Sequence, residues 1–327
     1  MRPAPLCLSL LLLGACQEYD FTDGPTVENT PVGYVSSGES ITDVLRQRDP
    51  VDEVDVLWVI DNSCSMQDDQ DALTDAFPEF MDFFIGLSEL DYHIGVVSTD
   101  MDDVADGQGQ LREADGYRWI DRNVPDPIPY FEIMAGMGTN GSGDEMGRAG
   151  AYHALETQRT GVNDGFLRDD AFLSVVVISD EDDSSDMDGV DEALFVDFMD
   201  TLKQEPGMVS YSTVVGPTPD GCTSAEAGYG YETIQQSVGG VFWSICDNQW
   251  DRLLEELAMA AAGMKQEFFL TRQPIVDTLD VEVHESGVIS DFEQGRDYTY
   301  NAERNSILFI EFVPQPYAEV RVRYDVE

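Results

Sequence analysis

Apolar and polar positions divide this chain into three stretches. From residue 51 onward, unbroken apolar runs alternate with segments of helical spacing. "VDVLWVID", "YHIGVVST", "AFLSVVVISD" and "VSYSTVVG" are short runs rich in Val and Ile, the pattern of strands buried on both faces of a parallel sheet. "VFWSICD" closes the series. "LTDAFPEFMDFFIGL", "EMGRAGAYHALETQ", "VDEALFVDFMDTLKQ" and "QWDRLLEELAMAAAG" repeat apolar residues three and four apart and predict helices. Phe77, Phe80, Phe83 and Phe84 follow that spacing and are expected in a core. The alternation predicts an α/β fold, a mostly parallel sheet flanked by helices. After about Lys265 the period changes to two. "TLDVEVHESGVI", "YTYNAERNSILFIEF" and "AEVRVRYDVE" predict a small β domain without helices.

The first fifty residues carry neither period for long. "MRPAPLCLSLLLLGAC" has one early arginine and an apolar run from Leu6 to Leu13, too short to span a bilayer as a helix. It reads as a secretory signal. "LGAC" resembles the lipobox of bacterial lipoproteins, which implies cleavage before Cys16 and lipidation of that cysteine. Several acyl chains on one residue give stable membrane attachment. Residues 17–50 are polar, with scattered Gly, Pro, Ser and Thr, and read as a flexible tether with a root-mean-square reach of roughly 30 Å. The expected organisation is therefore a signal at 1–15, a lipidated Cys16 and tether to residue 50, an α/β domain over 51–265, and the β domain over 266–327.

Charge narrows the partners. Sixty-five acidic residues face 17 basic ones, for a net charge of -48. Such a field repels phosphates and excludes nucleic acid as a partner. It suits a solvated surface, with cation binding reserved for particular clusters. Once Cys7 leaves with the signal and Cys16 is acylated, Cys64, Cys222 and Cys246 remain. Three thiols allow three pairings. Cys222 with Cys246, in one segment, is the favoured disulfide for an exported chain, leaving Cys64 odd and buried under the loop that carries it.

The chemistry sits where two apolar strands end in acid. "LWVID" ends in Asp61 and "VVVISD" in Asp180, and open α/β sheets bind ligands at the carboxyl ends of their strands. Asp61, Ser63 and Ser65 alternate, which points three oxygens to one side of a tight loop. Between the two acids lies "GTNGSGDEMGRAGAYHAL", with Thr139 and Ser142 as hydroxyl candidates. Carboxylates and hydroxyls together suit Mg²⁺, or Mn²⁺ and Ca²⁺, and serve zinc poorly. The bland alternative is that Ser63 or Ser65 merely caps the following helix.

These residues resemble the von Willebrand factor type A domain, whose metal-ion-dependent adhesion site has Asp-x-Ser-x-Ser on one loop, a Thr on a second and an Asp on a third. Asp61, Ser63 and Ser65 match the first loop and Asp180 the third. The second loop departs, with Ser142 or Thr139 in place of a plain Gly-Gly-Thr. The resemblance covers roughly residues 51–265. It implies a binding protein, not an enzyme: a ligand carboxylate, on a protein or other acidic partner, completes the coordination of the held ion. With the lipobox it implies an adhesion or envelope-assembly lipoprotein at the bacterial outer membrane or cell surface. A metal-dependent hydrolase using the same pocket and an envelope protein with a vestigial metal site are the alternatives. His93, His153 and His284 fall in a strand, a helix and the β domain and read as structural. The acid run after Asp180 reads as solvated surface.

Overall fold

The computed structural model describes residues 33–37, 40–47, 50–87, 90–103, 107–204, 207–247, 249–302 and 304–326. The signal segment and Cys16 lie outside them. Two strands, β1 (Gly33–Ser37) and β2 (Ser40–Arg46), precede the α/β half. That half contains β3 (Glu53–Ile60), β4 (Asp91–Ser98), β5 (Phe172–Ser179), β6 (Val209–Val215) and β7 (Phe242–Ser244). Its helices are α1 (Gln67–Gly86), α2 (Pro127–Ala135), α3 (Gly147–Tyr152), α4 (Glu192–Leu202), α5 (Tyr229–Val238) and α6 (Trp250–Ala261). Six further strands follow: β8 (Glu267–Phe269), β9 (Asp280–Glu285), β10 (Val288–Phe292), β11 (Tyr298–Asn301), β12 (Ser306–Phe309) and β13 (Glu319–Asp325).

The unbroken apolar runs form one parallel sheet in the order β4-β3-β5-β6-β7. Period two then sorts each strand's side chains between two cores. Val54, Val56, Trp58 and Ile60 face one cluster with Phe77, Phe80, Leu253 and Leu257; Leu57 and Val59 face another with Phe195, Met199, Tyr231 and Ile234. Trp58 is the hub of the first, in edge contact with Phe77, Phe80 and Phe131. The crossover after β3 leads outward to β4 and the one after β5 leads the opposite way to β6. The connections therefore part between β3 and β5, and a crevice opens at those strands' carboxyl ends. Asp61 and Asp180 are the first residues past them.

Two helices in this half escape the periodicity argument. α2 starts on Pro127, a residue suited to a helix's first turn, inside a stretch that reads as irregular. α5 buries only Gly230, Tyr231, Ile234 and Gln235, too few apolar positions to show a stripe. The segment expected as one helix around Gly147 is α3 running into a π turn at His153–Thr157.

The remaining strands form a sandwich. A five-stranded antiparallel sheet, β1-β2-β13-β9-β10, and a three-stranded one, β11-β12-β8, share a core of Ile41, Leu45, Val281, Val283, Val320, Val322, Phe268, Ile307 and Phe309. The expected tether over 16–50 is corrected here. Ser40–Arg46 is not a linker but a strand paired along its length with β13, from Ser40 opposite Asp325 to Arg46 opposite Glu319. Its buried Asp43 accepts hydrogen bonds from the Thr271 amide (2.8 Å), the Thr271 hydroxyl (2.6 Å) and the Tyr324 hydroxyl (2.7 Å). The β domain over 266–327 thus takes a strand from the far side of the α/β half. Among the described residues no helix is long and apolar enough to cross a membrane.

Candidate metal centre

Asp61 stays tied to the sheet, its amide donating to the Ile178 carbonyl at 3.0 Å. Its side chain then turns the chain back. Oδ1 accepts the Ser63 amide at 2.7 Å, and Oδ2 accepts the Ser179 hydroxyl at 2.7 Å. Ser63 Oγ lies 3.1 Å from Ser65 Oγ. Gln70, buried on α1, donates to the Asp61 carbonyl at 2.9 Å and the Gly138 carbonyl at 3.0 Å, fastening the loop to the helix and to the next segment. The capping alternative fails here: α1 begins after Met66, with no side-chain cap. The two serine hydroxyls are left for other work.

Asp180 comes to this loop from β5. Its carboxyl is within hydrogen-bonding reach of Ser65 and of Asp61, and it is only 5% exposed. Burial pushes it above the ordinary carboxylate range; the Ser65 hydroxyl offsets part of that, and the Asp61 charge adds to it. Its Oδ1 is buried with no hydrogen-bond partner.

A third acid, Glu145, meets the same place. It lies two residues before α3 and is 1% exposed, with Oε2 accepting the hydroxyl of Thr99, the residue that follows β4. Oε1 is buried without a partner. Burial, then the charge of Asp61 within hydrogen-bonding reach, push the Glu145 carboxyl up to about 9. Around them, burial and the charges of Asp61 and Asp180 raise Glu181. Asp69 rises to about 6, through burial first and then Asp180, Asp68 and Asp61. Arg148, on the helix after Glu145, is engaged with Asp183 and Asp186.

Two buried carboxylate oxygens without partners, acids that repel one another and hydroxyls among them make a donor set suited to a hard divalent cation. Among the described residues no three His, Cys, Asp or Glu side chains are grouped to hold an ion by themselves. Hydroxyls therefore belong to any set that does.

The sequence candidates distribute unevenly. Asp61, Ser63, Ser65 and Asp180 are brought together. Ser142 is bonded elsewhere, its amide donating to Asp100 Oδ2 at 3.1 Å and its hydroxyl accepting the Asp144 amide at 3.2 Å. Thr139 is half-buried beside Gly138. The second-loop residue that reaches Asp61 is Glu145, an acid where the motif leads one to expect a hydroxyl. Its signal in the sequence is its place just ahead of the tight Gly147-x-x-Gly150 entry to α3. A Cβ on Gly147 would lie 2.6 Å from the Tyr231 ring, and one on Gly150 2.9 Å from the Ser98 carbonyl. Beside the centre, Asn62, Ser98, Asp100, Arg112, Asn140 and Gly141 line a polar cavity of about 150 Å³.

Other expectations resolve simply. Cys222 and Cys246 are disulfide-bonded, and Cys64 is exposed instead of buried, as is Ser65 after it, while Ser63 before it is buried. His93 bonds the Phe166 carbonyl, His153 faces Asp188 and His284 faces Glu282, all away from the centre. The acid run after Asp180 is not all solvated. Asp183 accepts the Arg148 amide at 3.0 Å and Asp182 the Gly230 amide at 2.8 Å, so they serve the starts of α3 and α5.

No protein-family model matches the chain, and no curated protein matches it. Among solved structures it is similar to a von Willebrand factor type A protein from Catenulispora acidiphila, at 11% identity and a TM-score of 0.44, over 88% of this chain and 61% of that one. It is also similar to the pilus adhesin SpaC of Lactobacillus rhamnosus GG in an open conformation, at 10% identity and a TM-score of 0.41, over 89% and 41% of the two chains. A third is proximal thread matrix protein 1 of the mussel byssus with a zinc-occupied MIDAS motif, at 14% identity and a TM-score of 0.40, over 70% and 51%. The chain spans less than two thirds of each of these proteins. The likeness is one of fold alone.

Proposed function

We propose that this chain is a divalent-cation-dependent binding protein of the bacterial envelope, working in adhesion or envelope assembly and anchored through a lipidated Cys16. Asp61, Ser63, Ser65 and Asp180 would hold Mg²⁺, or Mn²⁺ or Ca²⁺. When bound, the cation supplies positive charge to which a carboxylate of a protein or other acidic ligand can coordinate. The rest falls to the chain. Ser179 and the Ser63 amide fix both oxygens of Asp61, and Gln70 keeps its loop from shifting against α1. Ser63 and Ser65 contribute neutral oxygens, so they add donors without adding negative charge. In a molecule of net charge -48, the cation supplies local attraction for an acidic partner that the field of the whole would otherwise repel.

The observation that carries the reading is Asp180 Oδ1, buried beside Asp61 and Ser65 and left without a partner. A buried carboxylate oxygen in that state is costly unless something positive completes it. Isothermal titration of the intact chain with Mg²⁺, Mn²⁺ and Ca²⁺ tests it. Saturable binding by the wild type, lost in Asp61→Ala and weakened in Ser63→Ala, is expected. No saturable heat with any of the three would refute it.

A further inference from the structure

We propose that β10 is the edge through which two copies of this chain pair, antiparallel about a twofold axis, joining their five-stranded sheets side by side. The inference is independent of the cation site, which belongs to the α/β half.

β10 ends its sheet. It pairs with β9 from Val288 opposite Glu285 to Phe292 opposite Val281, without a bulge, and among the described residues nothing bonds its other side. An open edge offers backbone groups to any extended segment, and proteins blunt it with charge, proline, a bulge or a covering segment. Other edges of this molecule are treated in that way. Ile120 exchanges both backbone hydrogen bonds with Ile94 on β4, and the Arg112 amide donates to the Val96 carbonyl. Beside β11, the Gly295 amide donates to the Tyr298 carbonyl at 2.7 Å. β8 carries Glu267 paired with Arg304, whose guanidinium lies over the Phe269 ring.

β10 has none of this. Its sequence, "VISDF", holds no lysine, no proline and a single acid. Val288 and Ile289 are 59% and 60% exposed, and as neighbours they present apolar side chains on both faces of the strand. Phe292 fixes the strand to the sandwich core, its ring centroid 5.0 Å from that of Phe309 and 4.8 Å from that of Phe312. The edge is therefore preformed.

Charge says what covers it. With a net charge of -48 on each copy, most faces of two copies repel. A twofold axis at Ser290 is an exception. It sets Ser290 opposite the partner's Ser290, Ile289 opposite the partner's Asp291 and Val288 opposite the partner's Phe292, so no acid meets an acid across the ladder. An axis at Asp291 would place two carboxylates directly opposite, which destabilises a pair of strands. Pairing of this isologous kind closes at two copies. The short strand makes a contact below the roughly 1,200 Å² of standard interfaces, so the dimer is weak. Because the rest of the two surfaces repel, salt strengthens it.

Sedimentation equilibrium of the intact chain over a range of concentrations, at low and at high salt, is the test. A monomer–dimer equilibrium that moves towards dimer as salt rises is expected. Ile289→Asp puts an acid opposite the partner's Asp291 on both sides of the axis and should raise the dissociation constant at least about tenfold. Ile289→Lys offers the same acid an opposite charge and should dimerise better than Ile289→Asp. Ile289 is exposed, so both variants should keep the wild-type Tm and the wild-type Mg²⁺ titration. A chain that is monomeric at every concentration leaves the edge to a strand of another protein and overturns the proposal. Assemblies beyond the dimer, the mark of head-to-tail pairing with β1, overturn it as well. So does an Ile289→Asp variant that dimerises like wild type, or equal weakening by Asp and Lys.

Discussion

Replacing Asp180 with Asn keeps the side chain's shape and removes one charge from a buried group of three. Asp180 is 5% exposed and in hydrogen-bonding reach of Asp61. Two carboxylates at ~4 Å repel by about 4 kcal/mol at an effective dielectric constant of 20. The Ser65 hydrogen bond and partial protonation absorb some of this, leaving about 1–3 kcal/mol of strain in the cation-free protein. Asp180→Asn should therefore raise the Tm of the intact chain in excess chelator, by roughly 2–8 °C. The sign with pH follows from the direction in which Asp180 is displaced. A carboxyl raised in the folded state above its ordinary 3.8 favours folding fully below that pH and loses this contribution as pH rises. The variant's advantage should be absent near pH 3 and grow towards neutrality. Saturating cation reverses the comparison. At a hundredfold excess over Kd the wild type gains about 2.7 kcal/mol and the variant far less. Scanning calorimetry of both proteins, with chelator and with Mg²⁺, reads all of this. A variant less stable than wild type in chelator would show Asp180 to be a structural acid and refute the argument.

Glu256 on α6 accepts the Val313 amide at 2.5 Å, and burial pushes its carboxyl from an ordinary 4.5 to about 8. Because the folded value is the higher one, stability should fall as pH rises from 4.5 to 8, by up to ~1.4 kcal/mol for each pH unit. Glu256→Gln should flatten the Tm-against-pH curve there; an unchanged slope contradicts it. Asp43→Ala strands the Thr271 and Tyr324 hydroxyls and should cost about 2–4 kcal/mol in denaturant unfolding, whereas a tether residue would cost nothing. Cys16→Ser should move the protein from the membrane to the soluble fraction, and continued membrane fractionation would disprove lipid anchoring.

The parallel sheet could be read from the chain because β3 and β5 are buried on both faces, so their apolar runs have no interruptions to hide them. Asp61 and Asp180 stand out for the same reason, each being the first acid after such a run. β2 was invisible because the inward position between Ile41 and Leu45 is Asp43, a charge where the pattern needs an apolar residue, and its partner strand β13 lies at the other end of the chain. Glu145 was missed for a chemical reason. Which side chain of its loop turns inward depends on Thr99 and Tyr231, residues far from it in sequence.

The antiparallel ladder between β2 and β13 also settles how the molecule takes tension. The chain passes through β1 and β2 of the sandwich before it reaches the α/β sheet, and seven residue positions, Ser40 to Arg46, are paired with β13. A pull from the N-terminal side meets the β1–β2 pairing and then that ladder. The hydrogen bonds that shape the Asp61 loop lie further along the chain, so a pull on that end strains the sandwich before it distorts the loop.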